Sequence, residues 1–300
     1  MNYEEFLNYV KDSVSKYMGE DYTVTLNNVM KNNGLELTGL VIMKKGQMAA
    51  PTIYLDEFYE QYNMGSEMKT IFEEIMKLYE QNSENLDMDF SFFTDFVRVR
   101  DKILYKLLNY EENRQLLLDV PYKRFLDLAV VFYVEVNNDM LGYGSVLIHN
   151  NHLDVWNITE KELYEVASEN TPKHLKYRIS SMEEVIEQML GNTPDVTVSD
   201  DNIKSSLDMY VLTNCNMVFG ASCIMYDGLI KKISDILNGN LYILPSSIHE
   251  VIIIPQNKFC DNKEELCNMV RCINEREVGR TERLSNSVYE YVRERDEICI

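Results

Sequence analysis

The stretch from Met209-Tyr-Val-Leu-Thr-Asn214 to Leu241-Tyr-Ile-Leu-Pro-Ser-Ser-Ile-His-Glu-Val-Ile-Ile-Ile-Pro255 constrains this chain most, because short apolar runs alternate there with turn residues around one amphipathic segment. Residues 210–213 and 221–225 are rich in β-formers and are separated by a turn-like stretch ending at Gly220, which predicts an antiparallel hairpin. Asp227 is placed to cap a helix in which Leu229, Ile230, Ile233, Ile236 and Leu237 recur at helical spacing, with Gly239 supplying a left-handed end. Residues 242–244 and 251–254 then read as a second strand pair. They bracket a 245–250 loop whose Pro245 is barred from a central ladder, so Ser246, Ser247, His249 and Glu250 are expected at a strand edge.

The same local grammar recurs elsewhere. Residues 3–17 place Tyr3, Phe6, Leu7, Val10, Val14 and Tyr17 on one helical face, ended by Gly19. Asn32-Asn33-Gly34 is a hairpin signal between alternating runs, and residues 67–79 carry a regular apolar stripe. Helices are also expected over 92–103 and 111–118, and a long apolar run over 125–136 feeds a strand over 145–149. Thr159 with Glu162, and Ser181 with Glu184, form capping boxes ahead of two further helices, while Asp261 is placed to cap a last one. Strand pairs that precede helices over 35–62, 125–169, 209–237 and 241–273 predict an α+β fold of repeated hairpin-then-helix units, with mostly antiparallel sheets and helices packed on one face. The polar stretch 191–206 reads as a boundary between an N-terminal α+β module over 1–190 and a C-terminal ββαββα module over 207–300.

Charge narrows the partners. A net charge of −20, from 49 acidic and 29 basic residues, repels polyphosphate and gains nothing from counterion release, so nucleic acid is not an expected ligand. The opening residues are acidic where a secretory signal needs basic ones, and the longest apolar run, 128–134, is far short of the ~20 residues a spanning helix needs. A soluble cytoplasmic protein without membrane attachment is expected. The six cysteines all lie beyond residue 214 and include no C-x-x-C pair, so reduced thiols are expected in place of a disulfide framework.

At Lys31-Asn-Asn-Gly-Leu-Glu-Leu-Thr-Gly39, Ala50-Pro-Thr-Ile-Tyr-Leu-Asp-Glu-Phe-Tyr59, Met209-Tyr-Val-Leu-Thr-Asn214 and Leu244-Pro-Ser-Ser-Ile-His-Glu-Val251, the chain resembles an uncharacterised family of about this length from anaerobic gut bacteria. The likeness covers nearly the whole chain. It implies a cytoplasmic bacterial protein and brings no catalytic residue or ligand with it.

Four constellations carry chemistry. Ser246, Ser247, His249 and Glu250 supply a nucleophile, a base and an orienting carboxylate within one loop, although neighbours in sequence rarely line up as a triad and serines after proline often satisfy loop backbone. His149 and His152, three apart, are an alternative metal pair, but no Cys or Glu completes a known spacing, so neither a metal nor a cofactor is expected. Of Cys260, Cys267 and Cys272, the last two straddle a helix expected to bury Leu266 and Met269, and small buried thiols are the expectation for all three. Among 20 tyrosines, Tyr54, Tyr210 and Tyr242 fall at strand ends where aromatic side chains build recognition surfaces or core edges. The leading expectation is a non-catalytic module binding a protein or peptide through exposed strand edges, and the alternative is a hydrolase or transferase using the 245–250 loop.

Overall fold

Asn2 and Glu5 open the first helix by capping each other: Asn2 Oδ1 accepts the Glu5 N–H at 2.9 Å, and Glu5 Oε2 accepts the Asn2 N–H at 2.9 Å. Helix α1 (Tyr3–Met18) then buries Phe6, Val10 and Val14, each four residues from the last and so on one face. The computed structural model describes residues 1–47, 50–83, 93–138, 142–191, 207–257 and 263–300. The chain divides into two compact units, one of residues 1–98 with 136–144 and one of residues 99–135 with 145–300.

In the first unit, β1 (Tyr22–Met30) pairs antiparallel with β2 (Glu36–Lys44), and β3 (Thr52–Tyr54) adds to the far side of β2. The expected turn is there: a 3-10 turn over Asn32–Gly34 places Asn33 at φ 58°, a left-handed value that asparagine tolerates. Helices α2 (Asp56–Asn63) and α3 (Met68–Ser83) complete the unit. Phe58, Ile71 and Ile75 join Phe6, Leu40 and Ile53 in its apolar core. Tyr3 donates its hydroxyl hydrogen to Asp56 Oδ1 at 2.7 Å while the Thr38 N–H donates to Asp56 Oδ2 at 2.8 Å, so one carboxylate joins α1, β2 and α2.

The middle of the chain holds less helix than its apolar spacing predicts. Of the stretch expected to be helical over 92–103, the described part holds α4 (Phe96–Val99) between 3-10 turns at 93–94 and 100–102, and residues 111–118 form turns ending in a 3-10 turn at Leu116–Leu118. Between them, β4 (Ile103–Asn109) buries all of its residues except Lys106 and Asn109, as a strand covered on both faces does. β4 pairs with β6 (Leu128–Asn138), whose other edge takes β5 (Tyr122–Phe125), and β7 (Gly142–Leu147) also pairs with β6. Helices α5 (Asn150–Trp156) and α6 (Glu160–His174) follow, the latter opened by the Thr159 and Glu162 capping box.

A third sheet has, among the described residues, six strands in the order β13 (Glu297–Cys299), β12 (Tyr289–Val292), β10 (Leu241–Leu244), β11 (Val251–Pro255), β9 (Tyr210–Asn214) and β8 (Tyr177–Ser181). Strand pairs with a described register are antiparallel throughout, as expected. Helices α7 (Met182–Met189), α8 (Leu229–Leu237) and α9 (Lys263–Arg276) accompany this sheet. The Ser181 and Glu184 capping box opens α7, whereas Asp261 and the 192–206 part of the expected boundary stretch lie outside the described residues. Because β8 pairs with β9, residues on both sides of that stretch contribute to one sheet.

The expected hairpin of 210–213 with 221–225 does not form. Gly220–Met225 is a 3-10 segment, and β9 pairs with β11 and β8 instead. A Cβ on Gly220 would collide with Thr213 Oγ1, lie 2.5 Å from the His249 carbonyl oxygen and lie 2.7 Å from the Asn214 nitrogen. The bare backbone of Gly220 thus presses into the end of β9 and turns the chain inward, burying Ala221, Ser222 and Cys223. Helix α8 is present, but Gly228 at φ 67° stands at its N-cap in place of Asp227, and Asn238 in place of Gly239 takes the left-handed position at its end. The β10 and β11 hairpin forms as expected.

Candidate functional site

The 245–250 loop connects β10 to β11 and is stitched to the segment ahead of β12. Ser285 N–H donates to the Pro245 carbonyl at 2.8 Å, Leu284 N–H to the Ser246 carbonyl at 3.0 Å, and Ile248 N–H to the Glu282 carbonyl at 2.8 Å. Ser247 is buried, and its Oγ accepts the His249 N–H at 3.0 Å. The His249 ring stacks on Phe219 with centroids 5.9 Å apart, its Nδ1 accepts the Phe219 N–H at 3.3 Å, and its Nε2 stands 3.8 Å from Glu282 Oε1. Burial pushes the Glu250 carboxyl upward, against the lowering effects of a Ser247 hydrogen bond and the His249 ring. Ser247, His249 and Glu250 are therefore neighbours, but the imidazole nitrogen that would take a serine proton already accepts a backbone hydrogen. Among the described residues, the His249 ring hydrogen-bonds neither Ser246 nor Ser247.

The histidine pair belongs to the start of α5. His149 Nδ1 lies 2.8 Å from Asp119 Oδ2, the His149 N–H donates to His152 Nδ1 at 2.9 Å, and the His152 ring stacks on Trp156 with centroids 5.7 Å apart. These contacts engage the Nδ1 atom of each ring in holding the helix end to the 116–119 turn. Among the described residues no group of three or more His, Cys, Asp or Glu is placed to hold a metal ion.

The tyrosines separate. Tyr54, partly exposed on β3, lies under Lys31 Nζ at 4.2 Å from its ring centre. Tyr242 packs against the cluster of Leu244, Ile254, Leu266 and Val270. Tyr210 is 3% exposed, which puts it with the core-edge alternative. Of the cysteines, Cys260 lies outside the described residues, Cys267 is half-buried and Cys272 exposed.

An opening that local motifs did not reveal lies where β8 begins. A cleft of about 650 Å³ is formed by the end of α6, the first residues of β8, the end of β9 and the start of α8. Pro172, Tyr226 and Leu229 give it an apolar wall, and two lysines, Lys176 and Lys232, also line it. Asp227 is the opposing carboxylate of the lining. The Tyr226 hydroxyl is tied down, donating to the Leu175 carbonyl at 2.6 Å, and Lys232 Nζ donates to the Tyr177 hydroxyl at 2.8 Å. Cys215, an exposed thiol, completes the rim. Among the described residues no side chain caps α8, so the positive end of its dipole adds to the two lysines.

Beside this cleft, β8 is the last strand of the sheet among the described residues. The Cys215 N–H donates to the Lys176 carbonyl at 2.8 Å and the Met182 N–H to the Met209 carbonyl at 2.9 Å. In an antiparallel ladder that parity directs Arg178 and Ser180 toward β9 and turns the peptide groups of Tyr177, Ile179 and Ser181 to the outer edge. The Ser181 N–H is taken by Glu184 at 2.9 Å. Neither the parity nor the cleft follows from any local motif, because the lining residues span positions 172 to 232.

Antiparallel α+β architecture with a sheet edge beside a cationic cleft defines a class by shape and charge, with no reaction attached. The chain belongs to the family of unknown function DUF5688, whose model matches residues 3–293, in keeping with the resemblance to an uncharacterised family. No curated protein and no solved structure matches it. Among the described residues no helix is long and apolar enough to cross a membrane.

Proposed function

We propose that this protein is a non-catalytic module of the bacterial cytoplasm that binds a protein or peptide by taking a strand of it onto the outer edge of β8. The observation that carries this reading is the parity of the β8–β9 ladder, which turns the Ile179 N–H and C=O away from the sheet next to an open cleft. Backbone pairing would supply affinity there, and the cleft would select a side chain. Selection of displayed peptides on the full chain tests it, with Ile179→Pro as the variant. Proline at this outer position removes no bond to β9, so the fold and its melting temperature are expected to persist while the selected peptides are lost. Peptides that bind both proteins equally would overturn the reading.

A hydrolase or transferase using the 245–250 loop is the second reading, favoured by a half-buried Glu250 carboxyl, pushed upward, beside Ser247 and His249. An esterase, amidase and phosphatase screen of wild type, the Ser246→Ala/Ser247→Ala double variant and His249→Ala tests it. Turnover that disappears in folded variants would put catalysis ahead of binding.

A further inference from the structure

We infer that the cleft at the start of β8 receives the free C-terminus of the docked peptide: its terminal carboxylate lies between Lys176, Lys232 and the start of α8, and its last, apolar side chain lies against Pro172, Tyr226 and Leu229. This rests on strand addition at β8 and assigns the direction and the end of the added strand. Strand β8 runs away from the cleft, from Tyr177 to Ser181. A strand added antiparallel, as the described pairs of this sheet are, runs from beside Ser181 to beside Tyr177, so its C-terminal end arrives at the cleft. A peptide added in parallel would bring its N-terminal end, and with it an ammonium group, to the same two lysines. Charge therefore selects the antiparallel direction.

The wider charge of the protein sharpens this. A chain with a net charge of −20 repels an acidic peptide body, yet this cleft gathers two lysines and an uncapped helix start against one carboxylate, Asp227. A single negative charge at the peptide's end is accepted where several along its length would be rejected. The apolar wall gives the last residue somewhere to bury a side chain, and the rigidly bonded Tyr226 hydroxyl keeps the ring of that wall in place. Lys176 is exposed and Lys232 is already oriented by Tyr177, so the former can move to the incoming carboxylate and the latter is held ready for it.

The test uses two libraries of strand-forming octapeptides ending in Leu, identical except that one ends in a free acid and the other in an amide. Binding to the full chain is read by fluorescence polarisation and by protection of Cys215 from iodoacetamide, mapped by mass spectrometry, with exposed Cys272 as the unprotected control. Free-acid peptides are expected to bind and to protect Cys215, with affinity about tenfold or more above their amides. Lys176→Glu, at an exposed position where the fold is retained, is expected to remove that preference. Equal binding of acids and amides with Cys215 protected would overturn the C-terminal assignment and leave strand addition standing. Absence of binding by both libraries would overturn the two together.

Discussion

Ser285 donates its hydroxyl hydrogen to Asp127 at 2.6 Å across 158 positions of sequence. The same carboxylate accepts Ser287 Oγ–H at 3.0 Å and the hydroxyl of the fully buried Tyr289, whose acidity is pushed down by burial first and by Asp127 second. One side chain in the turn between β5 and β6 thus holds the start of β12. It does so next to the segment that stitches the 245–250 loop.

Asp127→Ala should consequently destabilise the protein by about 2–3 kcal/mol, because three hydroxyls lose a common acceptor and two of them, on Ser285 and Tyr289, belong to buried residues. Adding Tyr289→Phe to that variant should cost less than Tyr289→Phe costs alone, since the orphaned hydroxyl is removed. Denaturant melts of the four proteins measure this coupling, and strict additivity would show that the two residues do not act on each other.

Gly220→Ala should lower stability by at least about 2 kcal/mol, as the added methyl has Thr213, Asn214 and the His249 carbonyl in its way. The strain falls on the backbone of β9 and on the loop carrying His249. Thermal unfolding of the variant measures it, and an unchanged melting temperature would mean that the 3-10 turn has room the structure does not show.

The elements legible in the sequence were those specified locally. Periodic burial of Phe6, Val10 and Val14 marks α1, Asn32-Asn33-Gly34 marks the β1–β2 turn, and the Thr159 and Ser181 boxes mark α6 and α7. Residues 221–225 have the composition of a strand and fold otherwise because Gly220 meets β9 and His249, partners distant in sequence or set by tertiary packing. β4 shows little alternation of apolar and polar residues because it is buried along most of its length. The cleft was hidden for the same kind of reason: Pro172, Lys176, Cys215 and Lys232 share no local spacing and meet only once β8 and β9 pair. The 245–250 loop drew attention through residue types alone, and its geometry spends the histidine on backbone bonding.

Stability should fall with acid through His152. Burial first, and the neighbouring His149 second, lower its pKa from the ordinary 6.5, while Asp119 opposes them. The folded state therefore holds fewer protons than the unfolded chain below that ordinary value. The stability owed to this group is complete above pH 6.5 and is lost as the pH falls toward the depressed folded pKa. His152→Gln should flatten this part of the curve in melts between about pH 7.5 and 5. A wild-type curve that rises on acidification across that window would contradict the assignment.

The thiols should react in an order set by burial. Cys223 is buried, donates to the Thr213 carbonyl at 3.2 Å and has its pKa pushed up to about 12 by burial, whereas Cys215 and Cys272 are exposed. Mapped alkylation of the native protein at neutral pH should modify Cys215 and Cys272 and reach Cys223 only after unfolding. Early modification of Cys223 would show that the turn beginning at Gly220 opens readily.

Hydrogen–deuterium exchange at the Ile179 amide, with and without a peptide selected on the full chain, tests strand addition most directly. Its N–H faces away from β9, so without peptide it should exchange faster than the N–H groups of Arg178 and Ser180, which face β9. A bound peptide strand should slow the Ile179 amide specifically, and the same peptide should leave Ile179→Pro unbound. Protection that appears elsewhere while Ile179 exchanges at its free rate would contradict the account.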